Sequence, residues 1–389
     1  MTAGAPQLEE LLTPLQDYTR LHAATLRRFG SRTVDLSFPN PQFLNDPRPY
    51  QILADLAALC GPADLRYSPF GGFTIVRRRL AAALSRDHDL PYQRHCVIMT
   101  PGASAALHLA LDALFSPPDT VMLTRPCWMD YPLYLAHLGL PCDIVDTTPD
   151  KHLDVERIER TWTPQTRALI LSQPASPTGV LHTGSELTAL AELLHRLGSR
   201  AGRPVVLIAD EAHAGHVWGD IVCPAPAAYY PNTITVRSVS KTWDMQGQRC
   251  GYLALSPGFT ALDQAATRLE QAMRISGQCA PTALMQHLAA ELADLAPDHT
   301  ALADLQRSTR HDLDAAGISA LPAEATRFIY ARNPSRHTAG FVTRLADRGV
   351  LVMPSPLFHE PGWFRLSLNV PATGLRRAVT IIGEVAHDA

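Results

Sequence analysis

The chain has 389 residues, 46% apolar and 18% charged, with a formal net charge of −3; this suits a soluble globular protein with two domains, or one large domain and a smaller lobe. The near-neutral balance, without blocks of one sign, argues against capture of nucleic acid or a membrane surface, and no run approaches the roughly 18 apolar residues of a membrane span. Seven cysteines, dispersed from Cys60 to Cys279 without a Cys-x-x-Cys pair, read as reduced thiols of a cytoplasmic protein.

Pro6 to Phe29 is amphipathic and helical in pattern, with Leu8, Leu11, Leu12 and Leu15 on one side. Val34 to Phe38 reads as a short strand, and Pro39-Asn40-Pro41 as an extended turn, because each proline restricts its neighbour. Ile52 to Leu59 is helical and stops at Cys60-Gly61-Pro62. From Tyr67 the pattern becomes strand–helix alternation. The turn Tyr67 to Gly72 leads into a helix over Ile75–Leu84. Cys96–Thr100, Thr120–Thr124, Cys142–Val145 and Ala168–Leu171 follow as strands, with a helix from Ala105 to Phe115 after the first of them. Thr183 caps a helix with Glu186 three residues on, and Gly198 is expected to end it. Pro204–Ala209 is wholly apolar, as in a strand covered on both faces. Alternation of this kind predicts a doubly wound α/β domain over 50–285. Residues 286–389, with strands at Phe328–Ala331 and Trp363–Leu368, form a smaller α/β lobe, with the N-terminal segment 1–49 packed against it.

Chemistry gathers at strand ends. Gly102-Ala103-Ser104 opens a helix at a strand-to-helix turn and is either an anion site or an ordinary capped start. Asp210 ends the apolar strand, as a turn cap or as a carboxylate awaiting a cationic partner. Asp210-Glu211-Ala212-His213 also resembles a helicase box, but neither lysine follows the glycine pattern of a phosphate-binding loop. A metal site from Asp210, His213 and His216 is a further alternative. Arg365, in an otherwise apolar strand, faces solvent or clamps a carboxylate. Only two of the 34 basic residues are lysines. Lys241 stands in Ser238-Val-Ser240-Lys241-Thr-Trp-Asp-Met-Gln-Gly247-Gln-Arg249-Cys-Gly251, where a desolvated amine can form a Schiff base with an aldehyde, as arginine cannot. Trp128, Tyr131 and Trp243 line a pocket or fill the core.

Taken together, these pieces resemble the fold type I pyridoxal-phosphate enzymes, specifically the class I/II aminotransferase family, from about Val34 to Leu368. The resemblance implies a large domain with a mostly parallel sheet, a smaller α/β domain, and pyridoxal 5′-phosphate bound by Lys241. It further implies that Ser238, Arg249, Gly102, Ala103 and Ser104 hold the phosphate, that Trp128 stacks on the cofactor ring, and that Asp210 keeps the ring nitrogen protonated. Arg365 takes the position that binds the substrate α-carboxylate, with Pro39 and Asn40 in the substrate loop. Tyr67 takes the position that reaches the neighbouring subunit's cofactor, which implies a homodimer. Two positions depart from the family pattern at one cofactor atom, the phenolic oxygen. Ser176 replaces an asparagine, and His213 replaces a tyrosine. The expected activity is amino-acid transamination, with His213 joining Lys241 and Asp210 in the catalytic set. The alternatives are a lyase, replacement or cyclisation enzyme using the same cofactor, and a cofactor-binding protein without catalysis.

Overall fold

The computed structural model describes residues 5–42, 46–335 and 337–388. Its strands in chain order are β1 (Val34–Asp35), β2 (Val97–Thr100), β3 (Thr120–Arg125), β4 (Cys142–Asp146), β5 (Thr166–Ser172) and β6 (Val206–Asp210). They continue as β7 (Thr233–Ser238), β8 (Gly251–Leu255), β9 (Phe328–Arg332), β10 (Val350–Leu351), β11 (Met353–Pro354) and β12 (Trp363–Ser367). Seven of them build one sheet in the order β2-β8-β7-β6-β5-β3-β4. The run from β4 through β3, β5 and β6 to β7 is parallel, while β8 lies antiparallel to both β2 and β7. The carboxyl ends of β2, β3, β5, β6 and β7 therefore lie along one edge, and β8 begins there, with Gly251 opposite both Thr100 and Ser238.

The apolar runs follow from burial of both faces. Val121, Leu123, Ala168, Ile170 and Ile208 enter the core beneath the helices Ala103–Leu114 and Leu262–Ser276, whereas Met122, Leu169, Leu171 and Leu207 pack beneath the helix Gly184–Ala201. Successive strand side chains point to opposite faces, so a strand covered on both sides needs apolar residues throughout. Each intervening helix returns the chain for another parallel strand.

A second core joins β9 and β12 to the helices Thr300–Ala315, Thr338–Asp347 and Ala372–His387 through Phe341, Leu345, Phe364, Leu366 and Ile382. β11, β12 and β9 form an antiparallel sheet, and β1 pairs in parallel with β10. The long helix Ala5–Phe29 joins this core through Tyr18, whose hydroxyl donates to Val352 O at 2.9 Å. Two expectations need correction. The strand expected over 34–38 is only two residues long: Leu36 N still donates to Leu351 O of β10 at 2.8 Å, but Leu36 O accepts from Ser367 N of β12 at 2.8 Å, and the chain leaves β10 there. Gly198 lies inside its helix, and Gly202 ends it with φ +66. Gly198 serves a different purpose: a Cβ there would stand 3.3 Å from Arg203 O and Pro204 Cα, a tight approach where the chain doubles back.

Candidate active site

Lys241 is placed by strand β7 and the single helical turn Val239–Thr242 that follows it. Ser238 Oγ accepts from Lys241 N at 3.1 Å, and Ser240 Oγ accepts from Cys250 N at 2.7 Å. The first hydroxyl caps the lysine turn, and the second ties it to the chain entering β8. Lys241 Nζ lies 3.2 Å from His213 Nε2 and 5.3 Å from the centroid of the Trp128 ring. Burial lowers the lysine pKa; the Asp210 carboxylate opposes this, and Arg365, Arg249 and Arg327 reinforce it. His213 is buried and held well below the usual imidazole range, by burial first and then by Lys241, Arg327 and Arg365. It therefore meets the amine as a neutral ring, while its Nδ1 has no hydrogen-bond partner.

Asp210 closes β6, and its two oxygens are held separately. Oδ1 accepts from Ala212 N at 3.0 Å and Oδ2 accepts from the Tyr131 hydroxyl at 2.5 Å. Burial, then the Asp210 charge, holds the Tyr131 phenol well above its usual range, so it stays a donor. Tyr131 thus has a defined polar task, one its sequence position left open. Trp243 instead enters the core with Val76 and Met99, and Arg48 lies 5.5 Å over its ring.

The helix Ala103–Leu114 begins at Gly102, whose φ is +92. A Cβ at Gly102 would lie 2.7 Å from Arg249 Nη2, and one at Gly251 would lie 3.0 Å from Ala103 N. Arg249 therefore crosses a helix start at a distance only glycine permits. Ser104 occupies the first turn of that helix. The combination of unpaired amides and a guanidinium suits a phosphate. Ser176, in the loop after β5, is buried, and its hydroxyl has no hydrogen-bond partner.

Arg365 lies at the centre of β12 and is fully buried, which excludes the solvent-facing alternative. Its Nη2 donates to Ser37 O at 2.8 Å, while Nε and Nη1 have no partner. Phe328 and Phe358 flank the guanidinium at 4.1 and 4.9 Å. Burial brings its pKa down to about 9, so it keeps its charge at neutral pH. Pro39 and Asn40 lie in the loop that covers this region, which Asn369 holds by donating to Phe38 O at 3.1 Å and to Asn40 O. Tyr67 stands apart, fully exposed. Asp210, His213 and His216 do not form a donor group close enough for one ion. His216 Nε2 instead meets Arg327 Nη2 at 2.9 Å, and Arg327 is ion-paired with Asp244. Sequence reasoning missed Arg327; its one signal was a charge directly before an apolar strand, weaker than the charge within a strand that marked Arg365.

A sequence profile for "Aminotransferase class I and II" matches residues 34–382. The chain is 29% identical to the aspartate/prephenate aminotransferase of Thermus thermophilus over 377 residues, 94% of each chain. It is 26% identical to the aspartate aminotransferase of Streptomyces avermitilis over 397 aligned positions, covering 94% of this chain and 92% of that one. Among solved structures, an amino transferase of Eubacterium rectale superposes with a TM-score of 0.89 at 21% identity, covering 95% of both chains. A double mutant of Thermus thermophilus aspartate aminotransferase superposes with a TM-score of 0.83 at 25% identity, covering 95% of this chain and 96% of that one.

Proposed function

The chain belongs to the class I and II aminotransferases, and we propose that it moves amino groups through the residues gathered at this sheet edge. It is a pyridoxal-phosphate-dependent enzyme that acts on an α-amino acid. The residues present fit that cofactor. Buried polar atoms without partners cost about 1–3 kcal/mol each; Ser176 Oγ and His213 Nδ1 are two such atoms, and the His213 ring contacts Lys241. The close approach of Arg249 to the helix start at Gly102 supplies a phosphate cradle.

In this reading Lys241 binds the cofactor through its amine. Ser238, Arg249, Gly102, Ala103 and Ser104 hold the phosphate, and Trp128 covers the ring face. Asp210, steadied by Tyr131, keeps a proton on the ring nitrogen, while Ser176 and His213 face the phenolic oxygen. Arg365 takes the substrate α-carboxylate with its two unpartnered N–H groups, beneath the Pro39–Asn40 loop. The bound cofactor supplies an electron sink for the negative charge left at the substrate Cα. Lys241, with its pKa lowered, removes the Cα proton and returns it during transfer. His213, neutral and 3.2 Å away, orients that amine by hydrogen bonding. Residues 50–285 form the cofactor domain, 286–389 the small domain, and 1–49 join the latter. The enzyme works as a cytoplasmic homodimer with Tyr67 completing the neighbouring site.

The carrying observation is the Arg365 guanidinium, fully buried with Nε and Nη1 free of protein partners, in the same charge field as Lys241. Arg327 is already paired with Asp244, so specificity for a second carboxylate does not fall to it. Aspartate, the amino acid in the relatives' names, is the first donor to test. A panel of amino acids is incubated with the holoenzyme and 2-oxoglutarate, with the products resolved by mass. At least one donor is expected to yield its oxo acid together with an equal amount of glutamate. Ammonia and pyruvate from a β-substituted donor, with no amino transfer, would overturn the reading in favour of elimination.

A further inference from the structure

A second group of titratable side chains meets on the flank of the large sheet. His152 lies in the segment after β4, His182 just before the helix Gly184–Ala201, and Glu186 in that helix's first turn. His152 Nδ1 lies 3.2 and 3.1 Å from Glu186 Oε1 and Oε2. His182 Nδ1 lies 4.0 Å from Oε1. One donor atom from each residue falls within 4.8 Å of the others. Ligand bonds of about 2.0–2.2 Å place the donor atoms of a tetrahedral ion roughly 3.5 Å apart, so small adjustments of the half-buried His152 and of the His182 ring toward Glu186 close the set.

Helix capping does not account for these contacts. Thr183 and Glu186 form a complete capping box without either histidine. His182 is 2% exposed, and its Nδ1 has no hydrogen-bond partner, an arrangement that costs stability unless something occupies the nitrogen. Gln173 fixes the His182 backbone on both sides, donating to its O and accepting from its N, each at 3.0 Å. Glu186 is oriented by Leu153 N on Oε1 at 2.8 Å and by Thr183 N on Oε2 at 2.7 Å, the kind of outer hydrogen bonding that aligns a ligating carboxylate.

We propose that His152, His182 and Glu186 bind one divalent transition-metal ion of the zinc, cobalt and nickel class, with water completing the coordination on the exposed side of His152. Two imidazoles and a carboxylate suit such an ion better than magnesium or calcium. The ion clips the segment around His152 to the start of the helix and takes no part in amino transfer.

The test uses holoenzyme stripped with chelator and dialysed, then titrated with Zn²⁺ by calorimetry and with Co²⁺ by visible difference spectra. One ion per chain is expected, together with a rise in melting temperature. His182→Gln and His152→Gln should each weaken binding by more than about tenfold and remove the thermal shift. His152 is half-buried, so His152→Gln keeps the test valid even where His182→Gln folds poorly. No saturable binding, or binding with unchanged affinity in His152→Gln, would overturn the proposal. Amino transfer in metal-free buffer reports separately on the catalytic reading.

Discussion

At Lys241, desolvation and charge pull in different directions, and their balance sets what the amine can do. Burial and three nearby arginines favour the neutral amine, while Asp210 favours the ammonium. Only the free amine attacks the cofactor's aldehyde, so uptake by apoprotein should slow as pH falls through the lysine's lowered pKa. Arg365→Met removes a cation, raises that pKa and moves the uptake profile to higher pH. Asp210→Asn removes the anion and moves it to lower pH. Both shifts are read from the growth of cofactor absorbance after mixing; shifts in the same direction would contradict this electrostatic account. Lys241→Ala should cut turnover by at least about 10²–10⁴-fold, the usual contribution of a positioned proton-transfer group. Lys241, Asp210 and Arg365 were legible in the sequence because each charge ends or interrupts an apolar run. The task of Tyr131 was not legible: its contact with Asp210 spans 79 residues of sequence, and only the order of the strands creates it. Arg327 and Asp244 escaped notice because Arg327 precedes β9 without interrupting its apolar run, and its ion-pair partner lies 83 residues away in the sequence.

The helix Ala103–Leu114 shows how one backbone conformation can serve a whole element. Gly102 sits at φ +92 and ψ 168, a region essentially confined to glycine, where an L-residue is disfavoured by roughly 1–3 kcal/mol. A Cβ there would also meet Arg249 Nη2 at 2.7 Å. That atom is the free end of a long side chain, so the arginine moves aside and the fold survives. Gly102→Ala should therefore cost about 1–3 kcal/mol of stability and weaken cofactor binding by more than about tenfold, since about 1.4 kcal/mol of lost phosphate contact suffices. Thermal melts and fluorescence titration with pyridoxal phosphate separate the two effects, and an unchanged dissociation constant would show that Arg249 does not serve the phosphate. Element types were readable where period and capping agreed, as at Thr183 and Glu186. Their ends were less so: Gly198 resembles a stop signal, yet it serves a tight return of the chain four residues before the true left-handed cap at Gly202.

For the whole molecule, the order of motifs along the chain became the order of groups along one sheet edge, because parallel strands bring every carboxyl end to the same side. That much was legible from alternating strands and helices. The antiparallel entry of β8 was not, although it sets Gly251 between Thr100 and Ser238 and so brings Arg249 to the helix start. The edge also leaves one proposed contributor unplaced within a single chain. Tyr67 is fully exposed, and Leu65 nearby in the sequence is 81% exposed, which suits residues that a second copy covers. If Tyr67 serves the neighbouring site, Lys241→Ala and Tyr67→Phe must complement each other. In a mixed dimer, one site would then combine both defects while the other would have an intact lysine and an intact tyrosine. Such dimers, isolated with two affinity tags and measured at limiting pyridoxal phosphate, should recover about half the wild-type activity, as the two-fold symmetry of a dimer requires. A tyrosine that served its own subunit would leave no intact site in the mixture, and activity would then stay at the level of the Tyr67→Phe protomer alone.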